Sequence, residues 1–204
     1  MKSKKHINEN YVHNCGEPQI VLKDFISSIF QMGFSDSDCI AIVDFFLFHA
    51  PVLSTSKSDD CFGLQSLRKL GWVGNSDMSK LEGQLLKAAN MSMFCFIKCD
   101  SIDNTLDNMN LGERVCISHP RAVLKQNYTV SIQEDGGVLL SQKETRMECL
   151  FRHIRNALAH NHTYYFTNGN TLLEDCEENG KVSARILIPK QALINWIHIV
   201  KKEQ

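Results

Sequence analysis

The strongest pattern in this sequence is an apolar stripe between residues 141 and 160. Successive residues of an α-helix turn by about 100°, which places five large apolar side chains on one narrow face. These side chains are Met147, Leu150, Phe151, Ile154 and Leu158. Such a stripe must be buried against other elements, so residues from about 141 to 160 are predicted to form an amphipathic helix that docks on a core.

Helical patterns also cover much of the rest of the chain. Apolar positions recur at helical spacing, and residues typical of helix ends, such as Pro51 and Pro189, stand at the borders. The further predicted helices are residues 17–34, 35–49 with Ser35 or Asp36 as the N-cap, 64–70, 76–97 and 193–200. Helices therefore account for most of the predicted structure.

Strand patterns are short and stand mainly near the C-terminal end. Residues 128–132 are predicted to form one strand, and residues 164–166 and 182–188 are predicted to form a small β-hairpin. The predicted fold is mainly α: a helical bundle with this hairpin between the stripe helix and the C-terminal helix. A flexible N-terminal arm over residues 1–16 is expected to precede a single domain over residues 17–204.

Charge and apolar runs limit the classes of partner. The chain of 204 residues has a formal net charge of −1, so a nucleic acid would have to be bound at a local site. The longest apolar run, residues 39–53, is interrupted and is too short to cross a bilayer. Eight irregularly spaced cysteines and a start without an apolar signal segment favour a reducing cytoplasm.

The polar face of the stripe helix carries side chains suited to phosphodiester chemistry. They are Arg152, His153, Arg155, Asn156 and His160, which on an ideal helix lie away from the apolar stripe. A guanidinium presents a planar fork of donors to phosphate oxygens, and an imidazole exchanges protons near neutral pH. RNA supplies its own nucleophile in the 2′-hydroxyl, so these groups are expected to need neither a metal nor a cofactor.

The positions of Arg155 and His160 favour a dimer. They are about 140° apart on an ideal helix, so one helix does not direct both side chains at a single atom. Two copies of the helix, packed antiparallel about a two-fold axis, could bring them together in a shared cleft. Ala159 would permit the close approach. A homodimer is therefore expected.

The string Arg-His-Ile-Arg-Asn-Ala-Leu-Ala-His, residues 152–160, resembles the signature of the HEPN domain family. That signature is an arginine, usually followed by a polar residue such as Asn, and then a histidine a few positions later. The segment at residues 193–196 is also similar to a Leu-x-x-Trp-like element of a bacterial HEPN subset. The resemblance implies a HEPN-type helical bundle that dimerises through the motif. It also implies a metal-independent endoribonuclease, a toxin or antiviral defence effector, with an antitoxin or other defence-system protein as a possible partner.

The resemblance also implies roles for individual residues. Arg155 would bind and polarise the phosphate, Asn156 would support the site, and His160 would act as the acid and base. Apart from the resemblance, Arg152 and His153 share the polar face and are expected to bind the nucleic acid, although His153 is equally suited to a structural role. His162 stands at an allowed spacing from Arg155, so it is the second-choice histidine of the motif and is also expected to bind the nucleic acid. HEPN toxins paired with a nucleotidyltransferase antitoxin have a tyrosine at the position of His162, so regulation by modification of that tyrosine is not expected here.

Three other interpretations compete with this site. The domain could be a non-catalytic RNA-binding or partner-binding subunit of a defence or toxin–antitoxin complex. A second Arg-x4-His spacing at Arg114 and His119 is interpreted as coincidence. Cys149 and His153, one helical turn apart, could hold zinc or form a nucleophilic pair, but a core cysteine is the preferred interpretation.

Overall fold

The computed structural model describes residues 20–21, 33–53, 66–97, 120–126, 128–133, 137, 139–166, 169–177 and 181–203. These residues contain four α-helices and eight strands. The helices are α1 (Asp36–Val43, continued by a π-helical turn over Asp44–Phe48), α2 (Gly74–Ala88), α3 (Arg146–Ala159) and α4 (Lys190–Lys201). The strands are β1 (Ile20–Val21), β2 (Phe94–Ile97), β3 (Arg121–Lys125), β4 (Thr129–Gln133), β5 (Leu139–Lys143), β6 (Thr163–Phe166), β7 (Asn170–Cys176) and β8 (Val182–Pro189).

Six of the described strands form one mixed sheet in the order β1-β6-β7-β8-β3-β2, and β4 pairs separately with β5. Strands β2 and β3 are parallel, whereas the other neighbours in the large sheet are antiparallel. Strands β6, β7 and β8 follow one another in sequence and in space, which places β7 and β8 in the middle of the sheet. This position buries them almost completely.

One face of this sheet and the described helices enclose a common hydrophobic core. Leu173 pairs with Ile186 and Ile186 with Ala122, so these three side chains lie on the same face, and all three belong to the core. Helix α3 packs on β7 and also contacts the π-helical turn, where the rings of Phe151 and Phe45 meet edge to face at 6.1 Å. The polar side of α3 is thereby brought over the end of β7.

The prediction of a mainly α, HEPN-type helical bundle is wrong. The molecule is a mixed α/β protein, and the predicted hairpin is part of its six-stranded sheet. Residues 164–166 and 182–188 do form strands, but β7 lies between them. Strand β7 escaped prediction because it is buried on both faces and contains two carboxylates, so it has no alternation of apolar and polar residues.

Several predicted helix boundaries are also wrong. The predicted helix over residues 76–97 ends at Ala88 and is followed by strand β2, because a continuous apolar run fits a buried parallel strand as well as a helix. Residues 141–143, assigned to the stripe helix, belong to strand β5. Residues 20–21, assigned to the first helix, form strand β1. The arm at residues 1–16 lies outside the described residues.

Other local predictions are confirmed. Ser35 caps α1 and Pro189 is the N-cap residue of α4, and residues 129–132 of the predicted strand lie in β4.

The cysteines within the described ranges, Cys39, Cys95, Cys149 and Cys176, are free thiols. Among the described helices, none combines the length and the apolar character that a membrane crossing needs.

Candidate functional site

Helix α3 begins with a complete capping box and ends next to the predicted catalytic histidine. The Thr145 side chain accepts a hydrogen bond from the Glu148 backbone N–H, and the Glu148 carboxylate accepts one from the Thr145 backbone N–H. At the other end, His160 is the C-cap residue, and Asn161 follows with a left-handed φ of 56°. Local sequence therefore fixes both ends of the helix that carries the motif.

Arg152 is held by a carboxylate just before α3. Its Nε and Nη2 donate to Oε2 and Oε1 of Glu144 at 2.9 and 2.8 Å, and its guanidinium lies over the ring of Tyr128. Burial alone would lower the pKa of Arg152, but the hydrogen bonds and charge of Glu144 outweigh it and hold the pKa above its ordinary value. Arg152, predicted to bind nucleic acid, thus has its fork of donors directed at the protein.

His153 lies inside the protein and contacts β7. Its side chain is only 1% exposed, although the ideal-helix pattern placed it on the non-core surface. Nδ1 donates to Oδ2 of Asp175 at 2.6 Å, and Nε2 lies 3.0 Å from the carbonyl oxygen of Lys125. The prediction that His153 faces away from the core is therefore wrong, because the sheet covers more of α3 than its apolar stripe alone.

Asn156 is joined to the same carboxylate. Its Nδ2 donates to Oδ2 of Asp175 at 3.1 Å, and the residue is half-buried. Asp175 itself is 5% exposed, and its carboxylate also lies 4.0 Å from Nη1 of Arg152. One buried carboxylate from β7 thus organises the polar face of α3.

Arg155 lies near the C-terminal end of α3, and His160 is the C-cap residue that follows it. Arg155 is half-buried, and no hydrogen bond or ion pair joins its side chain to another residue in the described ranges. His160 is exposed, and its ring centroid lies 6.3 Å from that of His162, which is half-buried. The backbone N–H of His162 donates to the carbonyl oxygen of Ala157, which fixes the chain as it leaves the helix.

No direct sequence pattern marks Glu144 and Asp175, which organise this region. Asp175 belongs to an acidic segment, and its neighbour Glu174 pairs on the other face of the sheet with buried Arg185. The sequence contains only a weak signal for Asp175. Glu174 and Asp175 directly follow a pair of leucines, and carboxylates that are buried with such residues need partners. Identifying those partners required knowing that β7 lies beneath α3.

Cys149 has the environment of a structural thiol. Its Sγ donates to the carbonyl oxygen of Lys125 at 3.6 Å. Burial, followed by the charge of Glu144, raises the pKa of Cys149 well above its usual range and so suppresses the thiolate that a nucleophile or zinc ligand requires. Within the described residues no group of three side chains is arranged to hold a metal ion. The alternative pair Arg114 and His119 lies outside these residues.

Comparison with known proteins adds no relative. No protein-family description, curated protein or solved structure matches this chain. The resemblance to the HEPN family therefore rests on the motif string and its surroundings in the sequence, and membership of that family stays a prediction.

Proposed function

We propose that this protein is a metal-independent endoribonuclease that acts through Arg155, Asn156 and His160. The observation that carries the proposal is the difference between the two halves of the motif. Arg152 and His153 are held by carboxylates inside the protein, whereas the next turns present a half-buried arginine, a half-buried amide and an exposed imidazole. Within the described residues, the side chains of Arg155 and His160 form no hydrogen bond or ion pair with the protein, and a guanidinium and an imidazole are suited to a phosphodiester.

The chemistry follows from the groups themselves. The Arg155 guanidinium binds two non-bridging phosphate oxygens and stabilises the charge that develops on them. The His160 imidazole accepts the proton of the RNA 2′-hydroxyl as O2′ bonds to phosphorus. The imidazolium formed in this way gives the proton back, through solvent, to O5′ as the P–O5′ bond breaks. The products are a 2′,3′-cyclic phosphate and a 5′-hydroxyl end, and no metal ion enters the balance.

A shared cleft between two copies completes the proposed site. Four residues separate Arg155 from His160, a spacing that on an ideal helix places two side chains about 140° apart. In the proposed dimer, Arg155 of one copy meets His160 of the other. A role as a toxin or antiviral effector in the cytoplasm, with a restraining partner protein, rests on the family resemblance alone.

Cleavage of RNA in the presence of a chelator tests the proposal. We expect the wild-type protein to cut structured RNA in EDTA and to leave DNA of the same sequence intact, because DNA lacks the 2′-hydroxyl. His160→Ala should lower the rate by about 10²- to 10⁴-fold, which is the usual contribution of a general acid–base group. The measurement is the rate of appearance of 2′,3′-cyclic phosphate ends.

The matched control is His198→Ala. His198 is likewise an exposed histidine near the end of a helix, α4, and it is bonded to Glu203. Its replacement should leave cleavage unchanged. If the wild type and both variants were equally inactive but still bound RNA, the protein would be a non-catalytic binding subunit and not an enzyme. Cleavage that depended on added magnesium would overturn the mechanism.

A further inference from the structure

The carboxylate of Asp175 connects the buried and accessible parts of the motif. A single oxygen, Oδ2, accepts hydrogen bonds from Nδ1 of His153 at 2.6 Å and from Nδ2 of Asn156 at 3.1 Å. The first contact lies inside the core, and the second reaches the half-buried amide. Among the described residues, the hydrogen bond to Asn156 is therefore the contact that joins Asp175 to the proposed site.

This contact determines which way the Asn156 amide faces. An ionised carboxylate accepts hydrogen bonds and donates none, so the NH₂ end of the amide must be directed at Asp175. The carbonyl oxygen Oδ1 then occupies the other end of the amide. Without the carboxylate, both orientations of the amide would be available to the side chain.

Asp175 is itself held firmly. Its backbone oxygen accepts a hydrogen bond from the Ser183 hydroxyl on β8 at 3.1 Å. The pairing of β7 with β8 changes register between Asp175 and Cys176, an irregularity of the kind that directs a strand side chain to a specific place. With His153 on one side and Asn156 on the other, the carboxylate is bound before any substrate arrives.

We infer that Asp175 is a positioning residue of the proposed ribonuclease site, which it serves by fixing the orientation of the Asn156 amide. The inference rests on the proposed function and extends it to a second element, because the site then includes β7 as well as the last turns of α3. Asp175 does not touch the phosphate. Its effect on turnover passes through Asn156.

The variant Asp175→Asn tests this role with little change in volume. An amide at position 175 removes the negative charge that both donors share. With its oxygen in the place of Oδ2 it binds the NH₂ end of Asn156 more weakly, and with its NH₂ group there it no longer accepts that hydrogen bond, so the orientation of Asn156 is less firmly fixed. We expect kcat for RNA cleavage to fall by about 10- to 100-fold, the range found when groups that orient functional side chains are replaced. KM should change by less than about 3-fold, because Arg155 still binds the phosphate.

The matched control is Glu174→Gln on the neighbouring position of the same strand. Glu174 is also a buried carboxylate, but it is bonded to Arg185 on the other face of the sheet. Its loss should lower stability without lowering kcat, measured at a temperature at which both variants are folded. Equal losses of kcat in the two variants would assign Asp175 a merely structural role and overturn the inference.

A second measurement does not depend on activity. The side-chain ¹⁵N–¹H₂ signals of Asn156, assigned with Asn156→Ala, should shift in Asp175→Asn and stay unchanged in Glu174→Gln. Unchanged signals in Asp175→Asn would overturn the inference. If the wild type cleaves RNA but Asp175→Asn keeps full kcat, the inference fails and the proposed function stands. If the wild type is inactive, the proposed function fails, and the amide spectrum still decides whether Asp175 orients Asn156.

Discussion

At the scale of single residues, burial separates structural side chains from available ones. Arg152 and Arg155 are three positions apart on one helix, but only Arg152 is bonded to a carboxylate within the described residues. Likewise, His153 is bonded to Asp175, whereas His160 is exposed. The side chains alone do not distinguish these pairs, because the difference comes from what lies opposite each one.

The buried thiol of Cys149 should make stability depend on alkaline pH. Burial raises its pKa in the folded protein above the ordinary value of 9.0. Below about pH 9 the thiol is protonated in both states and its contribution is fully present. As the pH rises further, the unfolded chain ionises first and that contribution is lost.

We therefore expect the wild type to lose more stability than Cys149→Ala between about pH 8 and about pH 10. The measurement is the free energy of unfolding in urea at the two pH values. The difference between the proteins cancels the titration of lysines and of Cys176, whose pKa burial also raises, to about 12. Identical pH dependence in the two proteins would show that Cys149 is not shielded in the folded state.

At the scale of elements, α3 is held in two ways. Neighbouring residues fix its N-terminal end, and a strand that is distant in the sequence holds its later turns. Its capping box lies within four consecutive residues, so it is set by sequence alone. Its anchor to β7 joins residues 19 and 22 positions apart, through Asn156 and His153. The two ends of the helix therefore respond differently to mutation.

Removal of the cap should lower stability without affecting catalysis. Thr145→Ala leaves the N–H of Glu148 without its acceptor, which typically costs about 1 kcal/mol. The site lies at the opposite end of α3, so the rate of RNA cleavage should be unchanged at a temperature at which the variant is folded. The measurements are the unfolding free energy and that rate.

The control is Ser76→Ala, which removes an exposed hydroxyl from the first turn of α2. Ser76 is not the N-cap residue of α2, and the N-cap side chain of that helix forms no capping hydrogen bond. It should change stability by less than about 0.5 kcal/mol. If Thr145→Ala were equally neutral, the capping box would contribute nothing to α3. A loss of activity in folded Thr145→Ala would mean that the N-terminus of α3 also belongs to the site.

At the scale of the whole molecule, the proposed site is incomplete in one copy. On an ideal helix the side chains of Arg155 and His160 would be about 140° apart, so the proposed mechanism requires a second copy to complete the cleft. We expect light scattering to give about twice the chain mass of 23.2 kDa. A strictly monomeric and active protein would exclude the shared cleft.

Mixing two inactive variants tests the same cleft through activity. In a heterodimer of Arg155→Ala and His160→Ala, one of the two composite sites retains both functional side chains. With half of the dimers mixed after subunit exchange, about a quarter of wild-type activity should return. Because neither variant can regain activity alone, no recovery in a sample shown to contain heterodimers would place both side chains in one subunit.

The sequence by itself determined the features that depend on neighbouring residues. These are the amphipathic character of α3, the N-terminal cap at Ser35, the start of α4 at Pro189, and the set of side chains in the motif. Local steric and hydrogen-bonding preferences act over a few residues, so they can be read from a single segment. The positions of Arg155, Asn156 and His160 near the end of one helix follow from the same information.

Only the tertiary structure decided that the chain is a mixed α/β protein and that half of the motif faces inward. Strand β7 owes its place to strands on both sides, and its carboxylates are tolerated in the core because Arg185 and His153 lie opposite them. No local pattern specifies such partners. A buried charge is stabilised by groups that the fold brings from elsewhere in the chain, so its role becomes visible only when those groups are in place.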